Sequence, residues 1–399
     1  MKKNSVNRVS AVSSLISSLA AILVGLLFGF VILLISNPNS AFAGLLTILK
    51  GGFNNGAKGI GQVLYYATPI VFTGLSVGFA FKTGLFNIGA AGQFMVGGLC
   101  SIIAGVTLDF LGPFHWIVSL FVGMLGGALW GFVPGLLKAL FNVNEVITSI
   151  MMNYIGLYGT NFLIQNLKTQ ENAFLIYDKM KNQTVDVATS AVLPKAGMDK
   201  VFFNTMGSYH DMSAVNSGII IAIVFAVVVF ILLNKTSFGY ELKASGFNKH
   251  ASKYAGINEN RTIILSMVIA GALAGAGGAS VYLAPTSGMH IHLVEVLSAQ
   301  GFNGIPVALL ALSHPLGIIF SGIFVAYITV GGSYLQQLGY MKEIIDVIIG
   351  IIIYFSAFSL LIKGFLSKRI IKKDPSLSSD PIKINNPPVS SEEKGVDHQ

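Results

Sequence analysis

The chain has few charged residues for its length. Only 11% of its 399 residues are Asp, Glu, Lys or Arg, whereas a soluble domain carries about a quarter. Hydrophobic residues make up 53% of the chain instead, and the mean hydropathy is +0.72. This composition excludes an ordinary soluble protein and indicates an integral membrane protein.

Other residue types and motifs are also rare or absent, and this excludes several functions. Cys100 is the single cysteine, so no disulfide can form within the chain. No Gly-Lys dipeptide occurs, which excludes a Walker A loop as a means of holding ATP. Only His290 and His292 lie close together in sequence; they support a metal site weakly, and we expect neither a metal nor a catalytic site. The net charge of +8 does not require nucleic acid, because membrane proteins carry basic cytoplasmic loops.

Long apolar runs recur along almost the whole chain. Since one helical span needs about 20 apolar residues, they predict an all-α polytopic membrane protein with about ten transmembrane helices, some discontinuous. The first run follows basic residues and precedes Ala41–Ala43, which resembles a signal cleavage site. It is nevertheless long enough for a full span, so we expect a retained helix. The predicted spans are 15–36, 60–81, 85–107, 115–137, 145–167, 217–233, 262–284, 293–311, 316–333 and 344–363.

The distribution of Lys and Arg predicts the orientation. Ten crossings place both termini on one side, and that side has the larger share of basic residues in short loops, which indicates the cytoplasm. The predicted organisation is a cytoplasmic N-terminus (1–14), a transmembrane domain (15–363) and a tail rich in Ser, Pro and Asn that is disordered (364–399). Within the domain lie an external loop (168–216) and a cytoplasmic loop (234–261). The external loop is either a solvated connector or a contact surface for an extracellular partner.

The first polar interruption in the apolar pattern is Lys82–Gln93, which places Asn87 and Gln93 just inside the third span. Amides at membrane depth are costly unless they bond to protein or face a water-lined cavity. Two interpretations therefore stay open: hydrogen bonding between packed helices, or lining of a transport path.

Two more interruptions follow. In Val143–Asn153, Asn144 suits a helix N-cap, and Asn153 either faces a path or makes a structural bond. In Gln300–Leu310, Pro306 lies among glycines and apolar residues, which indicates either a broken helix at a transport site or a plain proline kink.

Two glycine ladders predict close helix packing. Their small residues recur every four positions and so share one helix face. Whether the contact lies within the chain or between subunits is open. The ladders are Gly123, Gly127 and Gly131, and Gly271, Gly275 and Ala279.

The polar segment Lys235–Arg261 lies between two apolar runs. It predicts two short helices that end at Gly246 and Gly256, the second capped by Asn248. Such helices dock in a groove of a partner protein or lie on anionic lipid. The apolar face of the second helix would consist of Ala251, Tyr254 and Ala255.

Five separated strings make the chain similar to permease subunits of bacterial ABC importers of the ribose and nucleoside type. They resemble most the nucleoside branch, which works with a receptor of the basic-membrane-protein type. The resemblance runs from about residue 60 to residue 363. The strings occupy 74–93, 144–155, 241–261, 269–279 and 301–310.

The resemblance implies a set of partners. A separate ABC ATPase would bind ATP, so no cofactor is expected in this chain, and a second, unlike permease would complete the path. An extracellular substrate-binding lipoprotein would deliver the substrate, and lipid of the bacterial cell membrane would surround the chain. The residues predicted to couple to the ATPase are Glu241, Leu242, Ala244, Gly246, Ala251, Tyr254 and Gly256.

The resemblance also implies transport by alternating access, with nucleosides as the expected substrate. Similar permeases often have Glu where this chain has Ala91, so any role of that carboxylate is absent here or supplied by the partner. The alternatives are a permease for simple sugars or branched-chain amino acids, an ion-coupled transporter and a passive channel. The candidates for lining the path are Asn87, Gln93, Asn153, Tyr154 and Asn303.

Overall fold

The computed structural model describes residues 20, 22–167, 175–206, 209–285 and 289–357. The chain is mainly helical there, and the predicted terminal segments 1–14 and 364–399 lie outside the described residues. The helices are α1 (Ile22–Ser36), α2 (Ala41–Lys50), α3 (Gly56–Lys82), α4 (Ala90–Thr107), α5 (His115–Phe141), α6 (Glu145–Asn166), α7 (Gly218–Lys235), α8 (Ser237–Phe247), α9 (Lys249–Tyr254), α10 (Glu259–Tyr282), α11 (Ala299–Phe302), α12 (Gly304–Leu310), α13 (Pro315–Ser333) and α14 (Lys342–Ala357). The strands are β1 (Tyr177–Asp178), β2 (Gln183–Thr184), β3 (Phe203–Met206) and β4 (Tyr209–Met212).

Six helical stretches in the described residues are long and apolar enough to cross a membrane. They contain α3, α4, α5, α7, α10 and α13. The other predicted crossings correspond to α1, α6, α14 and the pair α11–α12. Helix α6 is 22 residues long, but several amide side chains lower its hydropathy. The prediction of an all-α polytopic membrane protein with a discontinuous helix is confirmed.

Helix α10 packs at the centre of the bundle, along α4 and α5. The two glycine ladders meet here: a Cβ added to Gly275 would lie 3.0 Å from the Cα of Gly127, and one added to Gly123 would lie 2.8 Å from the Cβ of Ala279. The predicted close packing is confirmed, and this contact lies within the chain. The small residues let the helix backbones approach closely. The resulting van der Waals contacts stabilise the packing in lipid, where no hydrophobic driving force acts between helices.

The predicted span 293–311 is a broken crossing rather than one helix. Its first six residues are not helical, and Asn303 separates α11 from α12. Pro306 does not kink a continuous helix as one interpretation expected. It lies in the first turn of α12, where its missing N–H is not needed, so a new helix begins just before it.

One end of the bundle is covered by the loop between α6 and α7, which we call the loop face (residues 175–217). Strands β1 and β2 pair antiparallel, as do β3 and β4, and apolar residues of the loop such as Ile176 and Leu193 are buried against helix ends. Lys58 at the start of α3 contacts Asp211 at 2.6 Å. The loop is therefore a packed cap on the bundle. The opposite end carries α8 and α9, which we call the coupling face.

Candidate functional site

Two amides of the first interruption bond to each other inside the bundle. Asn87 donates to the Oε1 of Gln93 at 2.7 Å, and Gln93 donates back to the Oδ1 of Asn87 at 3.1 Å. The Nδ2 of Asn87 also lies 3.0 Å from the Oγ of Ser76 on α3. All three side chains are buried. Asn87 precedes α4, which begins only at Ala90, so the prediction that it lies inside this span is wrong. Helix α4 begins later than predicted because Gly84 has a φ of +77° and a turn follows it.

Asn153 ties α6 to the beginning of α4. Its Oδ1 accepts from the backbone N–H of Gly92 at 2.8 Å, and its Nδ2 donates to the carbonyl of Ile88 at 3.0 Å. The N–H groups of a first helical turn have no partner within the helix. Asn153 satisfies one of them from a neighbouring helix. We call Ser76, Asn87, Gln93 and Asn153 the amide cluster.

The broken crossing packs against the same region. A Cβ on Gly301 would lie 2.5 Å from the Cα of Ala91, and the hydroxyl of Thr73 lies 3.1 Å from the carbonyl of Gln300. Ala91 is fully buried at this contact, so a larger side chain there would displace α11. Asn303 is partly exposed, and its side chain has no hydrogen-bonding partner within the described residues. On the other side of Asn303, a Cβ on Gly304 would lie 2.5 Å from the carbonyl oxygen of Thr73, so the chain is held both before and after the break.

Each amide of the amide cluster is hydrogen-bonded within the bundle. Buried amides are costly when unpaired and specify a unique packing when fully paired. In this state Asn87, Gln93 and Asn153 fix where α3, α4 and α6 meet, and none of them projects into open space. Their part in lining a transport path stays a prediction.

Helix α6 presents a different face outward. Tyr154 and Tyr158, four residues apart near the middle of the helix, are 50% and 54% exposed. Their hydroxyls have no hydrogen-bonding partner among the residues that the structure describes. The same face of α6 also carries exposed apolar side chains such as Met151 and Phe162, so the two hydroxyls are polar groups on an otherwise apolar surface. The exposed large side chains of α7, such as Val224 and Val228, carry no hydroxyl.

On the coupling face, helix α8 is fixed to the bundle through Leu242 and Gly246. The Leu242 side chain is fully buried in the main core. Gly246 does not end the helix as predicted, because α8 continues to Phe247. Its role is close approach: a Cβ there would lie 2.5 Å from the carbonyl carbon of Thr83. Glu241 and Ala244 are partly buried beside these contacts.

Helix α9 projects from the coupling face with little cover. Asn248 caps it by accepting from the N–H of Ala251 at 3.0 Å, as predicted. Gly256, with φ of +82°, follows its end, and the N–H groups of Gly256 and Ile257 bond to the carbonyls of Lys253 and Ser252 in a Schellman motif. The predicted face is open to solvent. Its exposed members are Ala251, Tyr254 (95% exposed), Ala255 and, at the end of α8, Phe247 (90% exposed).

Sequence reasoning missed Tyr158 and Ser76 in these sites, and it did not predict which segment Gly84 contacts. Tyr158 could have been found from its spacing of four residues after Tyr154, which puts both on one helix face. The sequence around Ser76 does not predict its role. A serine among the apolar residues of α3 could equally donate to a backbone carbonyl of its own helix or bond to the amide cluster. The glycines of the first interruption, Gly84 among them, predict close packing, but the contact with Gly246 joins segments far apart in sequence and so could not be predicted.

The two neighbouring histidines lie on the loop face. The Nδ1 of His290 is 2.7 Å from the Oδ1 of Asp186, and the rings of His290 and His292 meet edge to face. Across the ranges that the structure covers, no three His, Cys, Asp or Glu side chains are grouped so that they could hold a metal.

Comparison with known proteins identifies the class. Over residues 59–357 the chain matches the family model described as branched-chain amino acid transport system / permease component. It is 35% identical to the guanosine ABC transporter permease protein NupP of Bacillus subtilis, over 90% of this chain and 98% of NupP. It is 37% identical to the nucleoside ABC transporter permease protein NupB of Lactococcus lactis, over 88% of this chain and 92% of NupB.

A second guanosine permease of Bacillus subtilis, NupQ, is 25% identical over 66% of this chain and 78% of its own length. No solved structure matches the chain. The predicted resemblance to ABC permeases is confirmed, because the family model covers most of the chain and two ABC permeases match it almost end to end. The chain belongs to the family of branched-chain amino acid transport system permease components.

Proposed function

We propose that this protein is a permease subunit of an ATP-driven importer and that its substrate is a nucleoside. The observation that carries the proposal is the similarity to NupP and NupB, which extends over about nine tenths of the chain and whose printed names give guanosine and nucleosides. The weaker similarity to NupQ supports the view that this chain is the first of two unlike permeases that pair in one transporter.

The ATPase would dock on the coupling face. The exposed side chains of Ala251 and Tyr254 offer a shallow apolar surface, and the left-handed Gly256 ends α9 so that this surface stands clear of the bundle. Leu242 and Gly246 would transmit movement, because they fix α8 to the core. ATP would then be bound and hydrolysed by the partner chain, and this chain would need no cofactor.

The substrate path would run along the outward face of α6. Tyr154 and Tyr158 present aromatic rings with free edges, and aromatic side chains stack on planar ligands such as nucleobases. Asn153 of the amide cluster would keep α6 in position beside the path by bonding it to the start of α4. Asn303, at the break between α11 and α12, would supply a polar group to the substrate.

The coupling face would point into the cytoplasm, with both termini on that side, and the loop face would lie outside the cell. A substrate-binding lipoprotein would then dock on the loop face, where the β3–β4 hairpin is fixed to the start of α3 through Lys58 and Asp211. Transport would proceed by alternating access, in which the loaded receptor and ATP each stabilise a different state of the permease pair.

Uptake by the reconstituted transporter tests this function. This chain, its partner permease, the ATPase and the substrate-binding lipoprotein are placed in proteoliposomes with ATP, and uptake of radiolabelled guanosine, glucose and leucine is compared. We expect guanosine uptake that requires ATP and the ATPase subunit. Equal uptake without the ATPase would point to an ion-coupled carrier or a channel. Uptake of glucose or leucine in place of guanosine would contradict the substrate class.

A further inference from the structure

A cavity of about 420 Å³ opens at the coupling face, where several helices end or begin. Its walls come from the last turns of α3 and α7, from α8 and from the start of α13. Three of its lining residues carry basic groups, Lys82, Lys243 and His314, and none of its lining residues is acidic. A volume in this range is ordinary for a small-molecule site.

The cavity combines positive groups from separate elements. Lys82 ends α3 and Lys243 lies on α8, so the fold brings together two charges that are far apart in sequence. The Nζ of Lys243 lies 3.5 Å from the Oδ1 of Asn234, which also lines the cavity. Helix α13 begins at this wall with Pro315, whereas α3 and α7 end there, so the helix dipoles oppose one another and the positive potential comes from the lysines. The site therefore suits an anion with several oxygen acceptors.

The cavity also borders surface that suits lipid. The last turn of α7 lines the cavity, and the turns before it expose aliphatic side chains, with Val228 and Ile231 each about half exposed. Leu233 and Phe247 contribute apolar walls. Polar groups at the ends of membrane helices beside an aliphatic surface lie at the level of lipid headgroups. Basic pockets between helices on the cytoplasmic side are known to hold anionic headgroups.

We propose that this cavity binds the phosphate headgroup of an anionic phospholipid, with its acyl chains along α7. Lys82 and Lys243 would neutralise the phosphate, and Asn234 would orient it. A free phosphate would use the same positive groups but would gain nothing from the aliphatic side of α7. A carboxylate of a docked ATPase is disfavoured because Ala251, Tyr254 and Ala255, which form most of the exposed docking surface, lie outside the cavity, and of that surface Phe247 alone lines it.

The test compares lipid retention by the full transporter. The purified complex is titrated with phosphatidylglycerol in a phosphatidylcholine background, and native mass spectrometry counts the retained lipids. The pocket variant is Lys82→Gln with Lys243→Gln, and the control is Lys235→Gln, which removes an exposed lysine near the same level but outside the cavity. Lys243→Arg keeps the charge and serves as the rescue.

Each basic residue near an anionic surface contributes about a factor of five, so we expect a roughly 25-fold weaker retention in the double variant. The Lys235→Gln variant, which removes one basic residue outside the cavity, should lose at most about fivefold, and Lys243→Arg should retain lipid as the native chain does. Equal retention by the double variant would overturn the proposal. Displacement of the lipid by millimolar glycerol phosphate or inorganic phosphate would assign the site to a free anion instead. Loss of the ATPase with unchanged lipid retention would assign it to the protein partner.

Discussion

Gly246 of α8 and Gly84 of the turn between α3 and α4 lie backbone against backbone. A Cβ added to Gly246 would lie 2.6 Å from the amide nitrogen of Gly84, and Gly84 itself has a φ of +77°. The same turn leads to Asn87 in the amide cluster. This contact therefore joins the coupling face to the interior of the bundle, and a displacement of α8 reaches the start of α4 through it.

Replacing Gly246 by alanine should uncouple the transporter. The added methyl group has backbone on its far side, which cannot yield as a flexible side chain would, so α8 must shift. We expect ATP hydrolysis to continue while nucleoside uptake per ATP falls several-fold, as measured in proteoliposomes. Gly159→Ala is the matched control, because a Cβ at Gly159 meets nothing within 4 Å. Unchanged coupling in Gly246→Ala would mean that movement is transmitted elsewhere.

Ala251 and Leu242 should give opposite phenotypes although they lie on neighbouring short helices. Ala251 is exposed, so Ala251→Trp should block docking and abolish co-purification of the ATPase without lowering the thermal stability of the permease. Leu242 is fully buried, so Leu242→Ala should lower the free energy of unfolding by about 2–5 kcal/mol. Normal recovery of the ATPase with Ala251→Trp would place the docking surface elsewhere.

The sequence predicts local features of this fold better than its contacts. Asn144 and Asn248 are correctly predicted as N-caps because capping needs only the residue and the following turn. The prediction for Gly246 is wrong because a glycine can either end a helix or allow two backbones to approach closely. Which role it takes here depends on Thr83 and Gly84, more than 160 residues earlier. The pairing of Asn87 with its partners is likewise decided by how helices pack.

The broken crossing shows the same limit. Proline and glycine in Gln300–Leu310 indicate an interruption, but its position depends on Thr73 and Ala91, which hold the chain on either side of Asn303. Residues 293–298 read as membrane-spanning by hydropathy, yet the neighbouring His292 forms a β-bridge with Gln183 of the loop face. Hydropathy records how apolar a segment is, whereas helix formation here depends on what that segment contacts.

Asn87 and Gln93 should behave as one energetic unit. Their reciprocal hydrogen bonds at 2.7 and 3.1 Å mean that removing either amide leaves the other buried and incompletely paired. In a double-mutant cycle with Asn87→Ala and Gln93→Ala, we expect a coupling energy of about 0.5–3 kcal/mol in unfolding measurements. The exposed Asn234 provides a control, since Asn234→Ala and Gln93→Ala should be additive. If the unfolding free-energy changes of Asn87→Ala and Gln93→Ala were additive, the two amides would not be energetically coupled.

Tyr154 and Tyr158 should affect substrate affinity through their rings. An aromatic pair contributes about 0.5–1.5 kcal/mol beyond its buried area, which corresponds to a rise of roughly 2- to 10-fold in the KM for guanosine uptake when either is changed to Ala. The Phe variants keep the ring and should stay within about twofold of the native KM. Phe162→Ala, an exposed aromatic position on the same helix but nearer its end, is the control. Equal effects of Phe and Ala at Tyr154 would show that the hydroxyl, and not stacking, matters.

His314 should make lipid retention in the basic cavity depend on pH. Burial first, and then the charge of Lys82, lower the pKa of His314 below its usual 6.5, so the ring is neutral at pH 7.5 and its Nδ1 accepts from the N–H of Gly317 at 3.4 Å. As the pH falls through the lowered pKa, the ring gains a proton and adds a positive charge to the cavity that Lys82 and Lys243 also line. Retention of phosphatidylglycerol should therefore rise as the pH is lowered from 7.5 to below 6.5 and through the lowered pKa. With His314→Gln the profile should be flat over this range, and an equal rise in that variant would show that another group titrates.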